Sequence, residues 1–356
     1  MFELSPLGSA NVAAAYKVLS RFHGGTDGAW PIASLVSDGE GNLYGTTSYG
    51  GYEGGNCVVW GCGTVFELKK SGAGWTKTIL YTFKGGSDGN LPAAGVIFDA
   101  TGNLYGTTAY GGDLSCYYYG SGCGVVFELK RTSRGWAEQV LYTFHGPDGA
   151  DPFAALAFDS AGNLYGTTMW GGLGNGLIFQ LVNTNGSWIE NIPYEYGDAP
   201  NDGEPAGGVV LDHAGNLYGA TEFAGDYGYG GVYELSQSQG VWTYTTLSSF
   251  NGSDGWFPHA GVILGKDGNI YGTTLGSTSG NCMEGCGVVF MLDRSQGWAE
   301  TILHSFVGGT DGAYPWAPLL LDENGNVYGT TVAGGDPNCS TGSFPPGCGV
   351  VYRISR

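Results

Sequence analysis

The seven residues Gly-Asn-Leu-Tyr-Gly-Thr-Thr at 41–47 return at 102–108 and 162–168, and with a single change as GNLYGAT, GNIYGTT and GNVYGTT at 215–221, 268–274 and 325–331. Their tyrosines, Tyr44, Tyr105, Tyr165, Tyr218, Tyr271 and Tyr328, lie 53 to 61 residues apart. Self-similarity at such a period marks a repeat architecture, in which one small unit cannot bury its own apolar face and must stack on its neighbours. The unit from Gly85 to Phe144 holds four short β-type runs, Ala94–Asp99, Asn103–Thr108, Val125–Lys130 and Ala137–Phe144, none long enough for a helix. Asp-x-x-Gly-Asn joins the first two as a tight hairpin, and Arg-Thr-Ser-Arg-Gly joins the last two. The connection from the second run to the third is long and Gly-rich, as is the one into the next unit.

Composition agrees with this pattern, since 68 glycines and 14% aromatic residues suit turns and sheet faces, and only 13% of residues are charged. Six units of four antiparallel strands predict an all-β, six-bladed β-propeller. A linear solenoid would need polar capping repeats, and none is present. The termini predict how the ring closes. Residues 13–28, AAAYKVLSRFHGGTDG, read as the end of a unit, with Phe22 in the place of Phe83 or Phe144, whereas the chain finishes on a third strand, GVVYRISR. An N-terminal outer strand is therefore expected to complete the last blade and remove its free edge. Phe2–Leu4 and Val351–Ile354 both read as third strands, and one slot cannot hold two. Residues 1–12 are accordingly expected to be an extension that is displaced or engaged with a partner, and 13–356 a single propeller domain.

The motifs D-x-x-G-N-L-Y-G-T-T, G-C-G-x-V-F-E-L and G-G-x-D-G-x-x-P, running from about Tyr16 to Tyr352, resemble those of the GloVer tandem-repeat family of exported bacterial "choice-of-anchor" proteins. The resemblance implies a propeller-like fold and export. It brings no catalytic residues with it. The anchor implied by the family name is not expected within these residues, because no apolar tail precedes Arg356, and any signal peptide is expected to lie outside them.

With 13 Lys+Arg against 32 Asp+Glu, the formal charge is -19, which argues against nucleic-acid and anionic-membrane partners. No apolar run approaches 18 residues, so no membrane insertion by a helix is expected. The eight cysteines fall as four local pairs, Cys57/Cys62, Cys116/Cys123, Cys282/Cys286 and Cys339/Cys348, each between a second and a third strand. Their gaps vary where a zinc site would hold them near C-x2-C, so disulfides are expected, and with them an oxidising compartment and a secreted or cell-surface location.

In a propeller those cysteine loops emerge on the same face as the crossovers between units. GNLYGTT starts at the opposite face and reads as scaffold: Asn and Gly complete a hairpin, Leu and Tyr pack, Gly allows close approach, and the threonines favour a strand. In the crossovers Asp27, Asp88, Asp148, Asp202, Asp254 and Asp311 each precede Gly, with a proline within four residues. Such an Asp commonly accepts hydrogen bonds from backbone N–H groups. A ring of carboxylates able to attract calcium is the sharper alternative, although no D-x-D-x-D-G loop occurs and no cofactor is required. The five tryptophans Trp75, Trp136, Trp188, Trp242 and Trp298, each eight residues before an outer-strand aromatic, are expected to pack within the outer blade.

The loop aromatics change identity from unit to unit, which is how binding surfaces are built on a fixed frame. Trp60, Tyr118, Trp170, Tyr227, Tyr229 and Trp256 are the candidate ligand-binding residues. Flat rings beside carboxylates suit a sugar, whose apolar face stacks while its hydroxyls are hydrogen-bonded. No catalytic residue is assigned. Glu222 and Asp226 with His259 are the one constellation that a glycan-cleaving enzyme would use, and scarce arginine disfavours a lyase that must neutralise a uronate. The reading is of a non-enzymatic extracellular propeller that recognises carbohydrate, with a self-associating structural protein as the alternative.

Overall fold

A computed structural model describes residues 2–5, 15–57, 59–72, 74–116, 121–197, 203–205, 207–280, 282–283, 285–336, 339 and 347–355. The chain is all-β, a six-bladed β-propeller, with four single-turn 3-10 segments as its only helical structure among the described residues. Two strands, β1 (Phe2–Ser5) and β2 (Ala15–Val18), precede the blades. The first blade is β3 (Val36–Ser37), β4 (Leu43–Thr47), β5 (Thr64–Ser71) and β6 (Gly74–Thr82), and the second is β7 (Ile97–Phe98), β8 (Leu104–Thr108), β9 (Val125–Thr132) and β10 (Gly135–Thr143). The third is β11 (Ala157–Phe158), β12 (Leu164–Thr168), β13 (Leu177–Thr184) and β14 (Ser187–Glu195), and the fourth β15 (Val210–Leu211), β16 (Leu217–Thr221), β17 (Gly231–Ser238) and β18 (Val241–Ser249). The fifth is β19 (Val262–Leu264), β20 (Ile270–Thr274), β21 (Val288–Asp293) and β22 (Ala299–Ser305), and the sixth β23 (Leu320–Leu321), β24 (Val327–Thr330) and β25 (Val351–Ile354).

Each blade is an antiparallel meander whose strands pair in chain order. Among the described residues the sixth sheet has three strands. β2, the strand expected to complete it, is paired with β1 in the register Phe2↔Val18 to Ser5↔Ala15. The chain divides into two compact units, Met1–His145 with Asp151–Phe153, and Gly146–Ala150 with Ala154–Arg356.

Register explains the repeated phrase. Its second glycine always faces the third-strand aromatic: Gly45↔Phe66, Gly106↔Phe127, Gly166↔Phe179, Gly219↔Tyr233, Gly272↔Phe290 and Gly329↔Tyr352. A Cβ on Gly106 would stand 2.7 Å from the Phe127 ring, so the strand must lack a side chain there. The first threonine ties a blade to the next crossover, as Thr46 donates to the Ala94 carbonyl (2.9 Å) and Thr273 to that of Pro315 (3.2 Å). In blades one, two, five and six the second donates two residues onward, as Thr108 does to Tyr110 (2.9 Å).

The core lies between successive blades. In the first unit Tyr44, Val65, Phe83, Val96, Leu104, Phe127 and Leu129 form one buried cluster. The second unit has three such clusters, around Tyr165 and Tyr233, Tyr218 and Phe290, and Tyr271 and Phe306. Within each unit the aromatic that follows a fourth strand packs on the third-strand aromatic of the next blade, as Phe83 does on Phe127 (5.1 Å) and Phe250 on Phe290 (5.0 Å). Phe22 does the same to Phe66 (4.9 Å), the seat expected for it. The outer tryptophans correct the expectation of packing within a blade. Trp136, Trp242 and Trp298 instead lie against Tyr44, Tyr165 and Tyr218 of the preceding blade (6.4, 6.3 and 5.8 Å), adding to the interface between sheets.

Four disulfides, Cys57–Cys62, Cys116–Cys123, Cys282–Cys286 and Cys339–Cys348, close the loops between second and third strands of blades one, two, five and six. No helix among the described residues is long and apolar enough to cross a membrane.

Candidate functional site

The crossover between blades is built around its Asp-Gly pair. The Asp carboxylate accepts backbone N–H groups of its own turn: Asp27 from His23 (3.0 Å), Asp88 from Lys84 (2.8 Å), Asp254 from Asn251 (2.8 Å) and Asp311 from Val307 (3.0 Å). Asp148 is also engaged, and Asp202 lies outside the described residues. Among the described residues no group of three or more His, Cys, Asp or Glu side chains is disposed to hold a metal ion.

Immediately before the crossover proline the backbone turns left-handed in all six blades. Trp30, Leu91, Asp151, Glu204, Phe257 and Tyr314 have φ of 60°, 61°, 54°, 55°, 56° and 59°. A side chain in this region costs about 1–2 kcal/mol, and a following proline restricts the residue further. The surrounding hydrogen bonds hold it there. Leu91 N–H donates to the Cys62 carbonyl (3.1 Å), Asp151 to Cys123 (3.2 Å), and Tyr314 to Cys286 (3.0 Å). Glu204 and Phe257 donate to Asn175 (3.1 Å) and Tyr229 (3.0 Å), in the two blades without cysteines. The second cysteine of three disulfides is thus the anchor for a strained residue in the next crossover. The positions flanking the proline change from repeat to repeat, reading Trp-Pro-Ile, Leu-Pro-Ala, Asp-Pro-Phe, Glu-Pro-Ala, Phe-Pro-His and Tyr-Pro-Trp. In a chain with 68 glycines, none of these strained positions is glycine, which points to a use for the side chain.

In the second unit these positions converge. Trp256, Phe257, Leu275, Gly276, Tyr314 and Trp316 line a cavity of about 210 Å3. Phe257 packs on Phe223 (5.0 Å), and Trp256 on Tyr229 (6.0 Å). His259 and Trp316, which follow the prolines of adjacent crossovers, have ring centroids 4.2 Å apart. Nδ1 of His259 is hydrogen-bonded to Oε1 of Glu222, with both side chains mostly buried. Glu222 N–H donates to the carbonyl of Glu204 (3.0 Å). Burial, and then the charge of Glu222, push the carboxyl of Glu204 above its ordinary range. In the first unit Asp151 holds the corresponding position, 3% exposed, with Oδ1 lacking a hydrogen-bond partner among the described residues. Burial lifts its pKa to about 7.

Of the residues singled out from sequence, Tyr229 and Trp256 meet at this cavity. Glu222 joins His259, but Asp226 does not: its N–H donates to Ser249 Oγ (3.3 Å), and it lines a separate hollow with Tyr244 and Thr246. Tyr227 is 62% exposed and is not among the cavity walls. Trp170 is held by paired backbone bonds to Ala150 (2.8 and 3.0 Å). Trp60 belongs to the first unit, where it and Trp30 both contact Tyr49 (6.2 and 5.4 Å). Tyr118 lies outside the described residues. A larger cavity, about 310 Å3, lies at the hairpin turns of blades five and six, but its Asp267 and Asp322 are already bonded to Asn269 and Tyr271 and to Asn326 and Tyr328. Sequence reading missed Glu204 and Trp316. The available signal was the pair of variable positions around a fixed proline.

A family model described as the Gloeobacter/Verrucomicrobia repeat matches residues 2–156 and 116–344. No curated protein matches the chain. Among solved structures, a protein of unknown function from Dyadobacter fermentans is 16% identical with a TM-score of 0.51, covering 91% of this chain and 94% of that one. An α-L-arabinanase of Penicillium chrysogenum complexed with arabinobiose (13% identical) and an α-L-arabinofuranosidase of Fusarium graminearum (15%) each have a TM-score of 0.48, covering 90% of this chain and 92% of theirs. At these identities the likeness concerns fold alone.

Proposed function

The chain belongs to the Gloeobacter/Verrucomicrobia repeat family, and from that premise we propose that it is a carbohydrate-binding propeller whose recognition site is the aromatic cavity of its second unit. One observation carries the reading: four aromatic rings, Trp256, Phe257, Tyr314 and Trp316, wall a cavity flanked by the Glu222–His259 pair. Rings take the apolar face of a pyranose or furanose, and the polar pair takes its hydroxyls. A cavity of about 210 Å3 suits one sugar ring, such as a chain end or a branch. Strained, doubly hydrogen-bonded backbone at Phe257 and Tyr314 fixes two of those walls before any ligand arrives, which lowers the ordering cost of binding. Four disulfides support an oxidising, extracellular setting.

A glycan array followed by titration calorimetry on the retained sugars tests this. Trp316→Ala is expected to weaken binding about tenfold or more, the loss of one stacked ring. A blank array, or full affinity in Trp316→Ala, would reject the assignment. The self-association reading is favoured by one feature, the sixth sheet ending at β25 among the described residues where the others carry a fourth strand. Light scattering that shows dimers together with a blank array would select it instead.

A further inference from the structure

We propose that the sugar taken by this cavity is an amino sugar, bound through its protonated amino group by Glu204 and Glu222 and by the faces of the surrounding rings. The inference rests on the carbohydrate reading above and narrows it to one ligand class. Two acidic residues are neighbours beside the cavity, the Glu222 N–H donating to the Glu204 carbonyl (3.0 Å). Glu222 is adjacent in sequence to Phe223, which packs on the wall residue Phe257, and its bonded partner His259 stacks on the wall residue Trp316. Glu222 has His259 as its counterpart. The carboxyl of Glu204 has no hydrogen-bond or ion-pair partner among the described residues, and burial, then the charge on Glu222, makes its ionisation harder. No lysine or arginine lines the cavity or bonds to either carboxylate among the described residues.

Two neighbouring acidic side chains with a single imidazole, bonded to one of them, are short of positive charge, and a ligand ammonium would supply it. The rings act in the same direction, because a cation over the face of Trp, Tyr or Phe is attracted by the ring quadrupole, more so when desolvated. The same site repels a uronate, as does a chain of formal charge -19. A neutral sugar keeps the stacking and the hydroxyl contacts but gains nothing from the charge.

The test compares two hexasaccharides that differ only at the nitrogen, the fully deacetylated β-1,4-glucosamine hexamer and its N-acetylated counterpart, by calorimetry at pH 6 and 150 mM salt. The deacetylated hexamer is expected to bind at least tenfold more tightly. Glu204→Gln is expected to abolish that preference, whereas Trp316→Ala weakens both. Equal affinities in the wild type, or acetylated sugar preferred, would overturn the inference while leaving carbohydrate binding intact. So would a preference that survives Glu204→Gln, since it would then reflect the charge of the whole chain. If neither hexamer binds and the glycan array is blank, the carbohydrate reading itself fails. Circular dichroism of both variants separates lost recognition from lost folding.

Discussion

A tyrosine in the repeated phrase shows how closely each residue is specified. Tyr105 is buried, and its O–H lies 2.8 Å from Glu128 and 3.2 Å from Asp99; burial, and then these two carboxylates, raise its pKa. Asp99 in turn accepts N–H groups from Thr101 (2.8 Å) and Asn103 (2.9 Å). In blade five the turn is rebuilt with Gly265 at that place, and Asp267 reaches the tyrosine instead, 3.0 Å from Tyr271. The neighbouring glycine allows a sharp prediction. Gly106→Ala drives a methyl group against Phe127 and is expected to cost about 1–3 kcal/mol, as overpacking does. A urea midpoint equal to that of the wild type would show that the ring has room to move. These scaffold roles were legible because six copies in one chain reveal which residue types are held fixed. The left-handed residues before the prolines were not. No local propensity favours Trp30 or Phe257 at positive φ, and only the bonds from neighbouring loops put them there.

At the scale of the element, strand placement followed the period-two pattern, and the inner strand fell short of it. Ala94–Asp99 was expected as a strand, and only Ile97–Phe98 pairs. Gly95 approaches the Ser34 carbonyl so closely that a Cβ would stand 2.5 Å away, so this stretch serves the contact between crossovers rather than a ladder. The crossover and the disulfide loop act as one element. Because the Cys286 carbonyl receives the Tyr314 N–H, loosening the loop should loosen a wall of the cavity. The double variant Cys282→Ser, Cys286→Ser is expected to fold, with a loss of about 2 kcal/mol for so short a loop. Sugar affinity should fall by more than the Cys57→Ser, Cys62→Ser variant loses, since that loop anchors Leu91 in the first unit. Equal affinities in the two variants would mean that the anchor does not control the site. Cysteine spacing revealed the bridges but could not reveal what they hold, because the recipient lies in the next repeat.

For the whole molecule the carboxylates set the response to pH. Burial, and then the charge of Asp88, lift Glu138 to about 7; burial and the charge of Asp254 do the same for Glu300, and burial alone for Asp151. A group whose folded pKa is raised binds more protons folded than unfolded between its ordinary value and the raised one. Stability therefore falls as pH rises through that window, from the ordinary carboxylate range to about 7. The hairpin carboxylates Asp38, Asp99 and Asp212 act oppositely: burial raises them, but hydrogen bonds from their Asn and neighbouring turn residues outweigh it and hold them below the usual value. Their contribution is present above the ordinary Asp pKa and is lost as pH falls through the depressed one. The two sets together place maximal stability near pH 5, with the chain's formal charge of -19 at pH 7 pressing the same way as pH falls from neutrality. Melting temperatures measured from pH 3 to 8 are expected to peak there. Glu138→Gln with Glu300→Gln should flatten the fall between pH 5 and 7 and leave the acid limb in place. A double variant with an unchanged slope across that window would assign the loss to diffuse charge repulsion, and these two buried groups would then have no measurable part in it.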